Sequence, residues 1–168
     1  MISRVVYPDE PARFRALAQS LRRFFVKHDR GDGLDLNQLR PWARGAGLRL
    51  LGAGSERIVV ALDRHRVLKI EASGGDANEV EATIWNTAPA NIKRLLVPVL
   101  DVDPNGDWLI QTRVTPRTVR DDVPAHWKVL QDWGIGDHQP DNYEKGGRML
   151  DYAWAKPARR VQLGLNRA

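Results

Sequence analysis

The sequence predicts an α+β fold in which a five-stranded antiparallel sheet forms the first part and helices and loops follow it. Three observations predict this. Five β-like runs lie close together between Leu48 and Val114, tight turn signals separate several of them, and amphipathic helical patterns sit before, within and after the set. At 168 residues the chain holds one ordinary domain, or two small lobes sharing a cleft.

Composition narrows the class. Hydrophobic residues make up 42% and charged residues 28%, a globular balance, and no apolar run has the length of a bilayer span. Met1 to Pro8 contains no apolar core of signal-peptide length, so a cytoplasmic protein is expected. The chain has no cysteine, which excludes disulfides and thiolate metal sites. A net charge of +5 favours meeting phosphates or an acidic partner without selecting either.

The first helix is expected from Asp9 to Lys27. Asp9 suits the cap, Pro11 suits the first turn, and Phe14, Leu17, Ala18, Leu21, Phe24 and Phe25 fall on one face. Arg13, Arg15, Arg22, Arg23 and Lys27 occupy much of the remainder. An amphipathic helix with a solvated basic face is preferred here over a nucleic-acid or partner-binding helix. From His28 to Arg40 the acidic spacing invites a calcium-loop reading, which fails. Counted from Asp29, the third and fifth positions are Gly31 and Gly33, Leu34 replaces the turn glycine, and Arg40 stands where a bidentate glutamate belongs. A polar connector is expected instead.

Strand character begins at Leu48. Leu48 to Leu51 alternates, Gly52 to Glu56 reads as a turn, Ile58 to Leu62 is a second strand, and Val67 to Glu71 a third. Lys69 stands among apolar neighbours in that third strand, and a lysine so placed is ordinarily solvent-facing. A helix beginning near Ala77 carries Asp76 and Glu79 in capping-box form, with Val80, Ile84 and Trp85 as its apolar face. Glu81 lies near that face, needs a cationic partner if partly buried, and has Lys69 as the candidate. Pro89 closes this helical region. Leu95 to Val102 and Trp108 to Val114 are the last strands, joined by the strong turn Asp103 to Asp107. A further helix is expected from Pro124 to Trp133, with Gly134 as its stop.

The stretch from Gly136 to Tyr152 follows. Asp137 and Asn142 are five apart in a loop, and a short hairpin then ends in Asp151. Three oxygen-bearing side chains of these types suit hard cations and phosphoryl transfer. Turn chemistry alone also explains Asp-Asn-Tyr and Lys-Gly-Gly-Arg.

Taken in order, these parts resemble the protein-kinase-like fold, the superfamily of protein kinases and of aminoglycoside and choline kinases. Gly52, Gly54 and Val59 match positions of the glycine-rich loop, with Arg57 where its third glycine stands. Lys69 matches the strand lysine, and Glu81 its helix partner in preference to Glu79. Asp137 and Asn142 match D-x-x-x-x-N, and Asp151-Tyr152-Ala153 stands for Asp-Phe-Gly. The resemblance covers about Leu48 to Ala153.

The resemblance implies a two-lobed domain: residues 1–47 a helical extension, 48–114 a first lobe with a five-stranded antiparallel sheet, and 115–168 a strongly reduced second lobe. It implies ATP and Mg²⁺ as ligands. Backbone amides of Gly52, Ala53, Gly54 and Ser55 would cover the phosphates beside Val59, and Lys69, paired to Glu81, would hold two of them. Thr112 to Val114 would lie beside the adenine. Asn142 and Asp151 would hold the metal, and Asp137 would accept a hydrogen bond from the acceptor hydroxyl. Departures are as plain: no His-Arg precedes Asp137, Gln139 stands where many such kinases carry a lysine, and Ala153 replaces a glycine. The amino-terminal helix is expected to substitute for packing missing from the second lobe.

The four histidines show no metal-ligand spacing, and the six tryptophans read as core or cleft wall. The leading reading is a phosphotransferase acting on a hydroxyl acceptor, including one on a protein. The alternative is a pseudokinase that binds an acidic protein partner through its basic helix or tail. A basic nucleic-acid-binding domain ranks last, because it explains the charge but not the order of the motifs; the tail also lacks interleaved aromatic residues after Trp154.

Overall fold

The computed structural model describes residues 9–28, 36–54 and 56–165. Ser55 and most of the connector after His28 lie outside these. The elements run α1 (Glu10–His28), α2 (Leu36–Gly45), β1 (Arg49–Ala53), β2 (Arg57–Ala61), β3 (Arg66–Glu71), α3 (Ala77–Thr87), α4 (Ala90–Lys93), β4 (Val99–Val102), β5 (Trp108–Thr112), α5 (Trp127–Trp133) and α6 (Pro157–Gln162), with a 3₁₀ turn at Pro140–Asn142. The fold is α+β, and its five strands form one antiparallel sheet ordered β1-β2-β3-β5-β4.

The sheet is covered on both faces, which is why β3 is buried along nearly its whole length. Successive side chains of a strand point to opposite faces. Leu68 and Ile70 therefore join Ile58, Val60, Trp108 and Ile110 on one face, where α1 and α2 pack through Phe14, Ala18, Leu21 and Leu39. Phe14 meets Trp108 edge-on at 5.3 Å between ring centroids. Arg15 reaches Asp103 at 2.7 Å and Arg22 reaches Asp107 at 2.6 Å, so part of the helix's basic surface is tied to the β4–β5 turn. The amino-terminal helix thus covers the sheet. The expectation that it would fill in for the carboxy-terminal half is corrected.

A second hydrophobic cluster joins α3 and α4 to the carboxy-terminal half, through Val80, Ile84, Ile92, Leu96, Leu130, Ile135, Tyr143, Met149 and Tyr152. Fully buried Met149 is its backbone anchor. Its amide donates to the Leu95 carbonyl and its carbonyl accepts from the Val97 amide, both at 2.8 Å.

Several boundaries differ from expectation. Connector residues Leu36 to Arg40 are the start of α2, and Pro41 is accommodated inside that helix, where it contributes no amide hydrogen. Gly52 and Ala53 belong to β1, which carries a bulge between Leu50 and Gly52, so the strand runs two residues further than expected. Asp76 makes no side-chain cap to α3; its carboxylate pairs with Arg160. The helix expected from Pro124 begins at Trp127, after a turn in which the Trp127 amide donates to Pro124. Gly134 ends it in the left-handed conformation at φ 109°. No described helix is long and apolar enough to cross a membrane.

If α1 is an integral layer, Leu21→Ala should cost about 2–5 kcal/mol in urea unfolding, the usual penalty for emptying a fully buried leucine site. A loss below about 0.5 kcal/mol, the size of a surface substitution, would show that α1 is not docked.

Candidate functional site

Strand register brings the first group of residues together. Gly52 pairs with Val59, Val59 with Lys69 and Lys69 with Leu109, so these four form one cross-strand row on the face toward α3. Arg57 pairs with Glu71 two residues along and shares that face. Lys69 is 2% exposed and Glu81 0%, so both charges must be met internally.

They are met by each other and by neighbours. Lys69 Nζ donates to Glu81 Oε1 at 2.7 Å, to Oε2 at 2.9 Å and to the Leu150 carbonyl at 2.7 Å. Those three bonds use the full donor capacity of an ammonium. The Arg57 guanidinium donates to Glu81 Oε2 at 2.6 Å, to Asn78 Oδ1 at 3.1 Å and to Asp151 Oδ1 at 2.5 Å. Gln111 Nε2 completes the shell around Glu81 at 3.2 Å and also donates to the Val97 carbonyl. Burial pushes the Lys69 ammonium down, with Glu81 opposing. Burial also acts against the Arg57 charge, but Glu81 and Asp151 hold its pKa above the ordinary value. For Asp151, burial pushes up while Arg57 and Lys69 pull down, and the result is about 2.

The second group lies in the loop after α5. Gly136 sits directly under Trp154: a Cβ there would fall 1.9 Å from the indole ring, so only glycine fits. Asp137 follows at φ 57°, a left-handed conformation that aspartate tolerates better than most residues. The Asn142 amide donates to the Asp137 carbonyl at 2.5 Å and to its Oδ2 at 3.2 Å. The Asn142 carbonyl accepts from the Leu150 amide at 2.8 Å, tying this loop to the Asp151 segment. His138 bridges Tyr143 Oη at 2.6 Å and the Ile135 carbonyl at 3.0 Å, an arrangement that assigns Nε2–H as donor and Nδ1 as acceptor. Burial lowers its pKa, and its place is that of a loop brace.

The structure therefore brings Lys69, Glu81 and Asp151 into one network and places Asp137 and Asn142 in contact with each other. The remaining positions stand as follows. The Gly54 amide donates to the Arg57 carbonyl at 2.8 Å, so it is already engaged in closing the β1–β2 turn. Neither Gly52 nor Gly54 has a positive φ, and a Cβ on Gly52 would meet no described atom within 4 Å. At the end of β5, the Thr112 amide donates to the Pro98 carbonyl and the Arg113 amide to the His65 carbonyl, so both amides are already engaged. Arg57, Asn78 and Gln111 are network members that motif matching missed. Asn78 had a readable signal, since it precedes Glu81 by three residues on the same helix face.

Mg²⁺ does not fit this arrangement. The Asp151 carboxylate is already paired with the Arg57 guanidinium and accepts the Ala153 amide. The nitrogen side of Asn142 faces Asp137, and no group of three or more metal-ligating acidic or histidine side chains occurs among the described residues. A cavity of about 210 Å³ lies elsewhere, between α5 and α6, walled by Trp133, Lys156 and Arg159. Its two cations are engaged by the carbonyls of Gln131 and Trp133.

No protein-family model matches the chain, and no curated protein matches it. Among solved structures, SAICAR synthase from Saccharomyces cerevisiae, complexed with SAICAR, is similar at a TM-score of 0.31 and 11% sequence identity. The likeness covers 69% of this chain and 55% of the synthase chain, so the chain spans about half the length of that protein.

Asp151 sets a pH signature. Its folded pKa of about 2 lies below the unfolded value of about 3.9, so its pairing stabilises the fold above that value and the benefit is lost as pH falls through about 2. The urea midpoint of the wild type should exceed that of Asp151→Asn near neutral pH, and the gap should close toward pH 2. A gap that stays constant across this range would contradict the pairing.

Proposed function

We propose that the chain is a kinase-like nucleotide-binding domain whose reaction class is transfer of a γ-phosphoryl group from ATP to a hydroxyl acceptor. The observation that carries this reading is the Lys69–Glu81 pair, buried between β3 and α3 and hydrogen-bonded onward to Leu150 beside Asp151. Residues from distant stretches of sequence meet there in the order the kinase resemblance assigns them. The two hydrophobic clusters support a two-lobed description, one around the sheet with α1 and α2 and one around α3, α4, α5 and the loop after α5.

In this reading the row Gly52, Val59 and Lys69 receives the nucleotide. Gly52 needs no special backbone angle and has open space around it, so a glycine there admits a close ligand. Ala53 and Gly54 lie over the phosphates, and Thr112 to Val114 border the adenine. Asp137 is exposed, and its carboxylate has lone pairs beyond the one Asn142 reaches, so it accepts the hydrogen bond of an incoming hydroxyl. In the transfer itself the hydroxyl oxygen bonds to the γ-phosphorus, the bond to the β–γ bridging oxygen breaks, and the proton passes to Asp137. Asn142 orients Asp137. Mg²⁺ is a cofactor of this superfamily, and Asn142 and Asp151 are the positions the resemblance gives it; with Asp151 paired to Arg57, no step here runs through a metal.

A second reading is a pseudokinase that binds a nucleotide or protein partner without transfer. The Arg57–Asp151 ion pair favours it, since it occupies the residue a catalytic metal needs. An acidic protein partner would meet the exposed Arg13, Arg23 and Lys27 of α1, whose other arginines, Arg15 and Arg22, are held by Asp103 and Asp107. A cysteine-free chain suits a reducing cytoplasm.

ATP at about a hundred times its dissociation constant should add roughly 2.7 kcal/mol of stability, read as a raised unfolding midpoint. Asp137→Asn should retain this binding and lower transfer of labelled phosphate by about a hundredfold or more. Unchanged transfer in the variant would remove Asp137 from the reaction, and a wild type that binds ATP without transferring phosphate would establish the second reading.

A further inference from the structure

We propose that the Arg57 guanidinium is the built-in counter-charge of Asp151, taking the electrostatic place of a divalent cation, so that the cleft binds the polyphosphate of ATP free of metal. This rests on the nucleotide-binding reading above. Two fixed cations, Arg57 and Lys69, face two carboxylates, Glu81 and Asp151, and each cation bonds to at least one carboxylate directly. The four charges balance without an ion. Glu71 also faces Arg57 across β2 and β3; burial raises its pKa, with Ser73 and Arg57 opposing.

Position makes Arg57 a fixture of the site. It begins β2, is 7% exposed, and is held at one guanidinium nitrogen by Glu81 and Asn78 and at the other by Asp151. A guanidinium stays charged at any working pH, and its planar fork suits phosphate as well as carboxylate. Three of its five N–H donors are accounted for by these bonds. A divalent ion brought to Asp151, whose side chain is 44% exposed, would meet Arg57 at hydrogen-bond range of the same carboxylate and Lys69 close behind, so it would have to compete with that ion pair. A polyphosphate arriving without its metal meets instead the Arg57 guanidinium, with the two N–H donors these bonds leave over.

The test is ATP binding by calorimetry to the whole chain, once in EDTA and once in excess Mg²⁺. The expected dissociation constants agree within about threefold or favour EDTA. Tighter binding in Mg²⁺ by more than that overturns the inference while leaving the nucleotide reading intact. No binding in either buffer overturns the nucleotide reading and the inference with it. Arg57→Gln supplies the second arm: in EDTA it should weaken ATP binding about tenfold, and Mg²⁺ should restore it, because Asp151 is then available to the ion. A variant that binds ATP in EDTA as the wild type does would also overturn the inference. The wild-type comparison decides the matter even if the variant does not fold.

Discussion

A lysine and an arginine buried beside a fully buried glutamate impose the constraint on which the structure depends. Glu81 cannot stay charged in the interior without the Lys69 ammonium, the Arg57 guanidinium and the Gln111 amide around it. Removing one partner of such a buried pair typically costs about 3–5 kcal/mol, because the other charge is left unmet. That cost dictates geometry. The α3 helix has to dock with Glu81 over β3, and the 150–151 segment has to arrive where Leu150 accepts the third lysine hydrogen and Asp151 the far end of Arg57. One polar network thus joins the sheet to the carboxy-terminal half, alongside the apolar cluster built on α3.

The opposite face of the sheet explains the amino-terminal helices. A five-stranded sheet buried on both faces needs a layer on each side, and α3 can cover only one. Phe14, Ala18 and Leu21 of α1 and Leu39 of α2 supply the other. Trp42 of α2 donates its indole N–H to Ser20 of α1 at 3.2 Å, so the two helices also brace each other. The basic residues of α1 divide accordingly, some anchoring the β4–β5 turn and others facing solvent.

Much of this was legible in the residues. Alternation of apolar residues located the strands, the Asp-Pro-Asn-Gly-Asp turn marked the β4–β5 hairpin, and Gly134 marked the end of α5. The Lys69–Glu81 contact was legible because each, taken alone, is an ill-fitting charge on an apolar face. What was not legible came from tertiary choice. Leu36 to Gly45 forms a helix despite Pro41, since Leu39 and Ala43 gain burial against α1 and the sheet. Asp76 gives up a local cap for a long-range pair with Arg160, which spacing cannot reveal. Arg57 was visible only as a departure from a glycine position, and its bond to Asp151 spans 94 residues.

Arg57 and Asp151 act as one unit across the two halves of the chain. A double-mutant cycle of Arg57→Gln and Asp151→Asn, read by urea unfolding near neutral pH, measures that directly. The structure predicts that the two substitutions are not additive, with a coupling of about 1–3 kcal/mol, as for contacting groups in one network. Additivity within about 0.5 kcal/mol, as for independent sites, would contradict it.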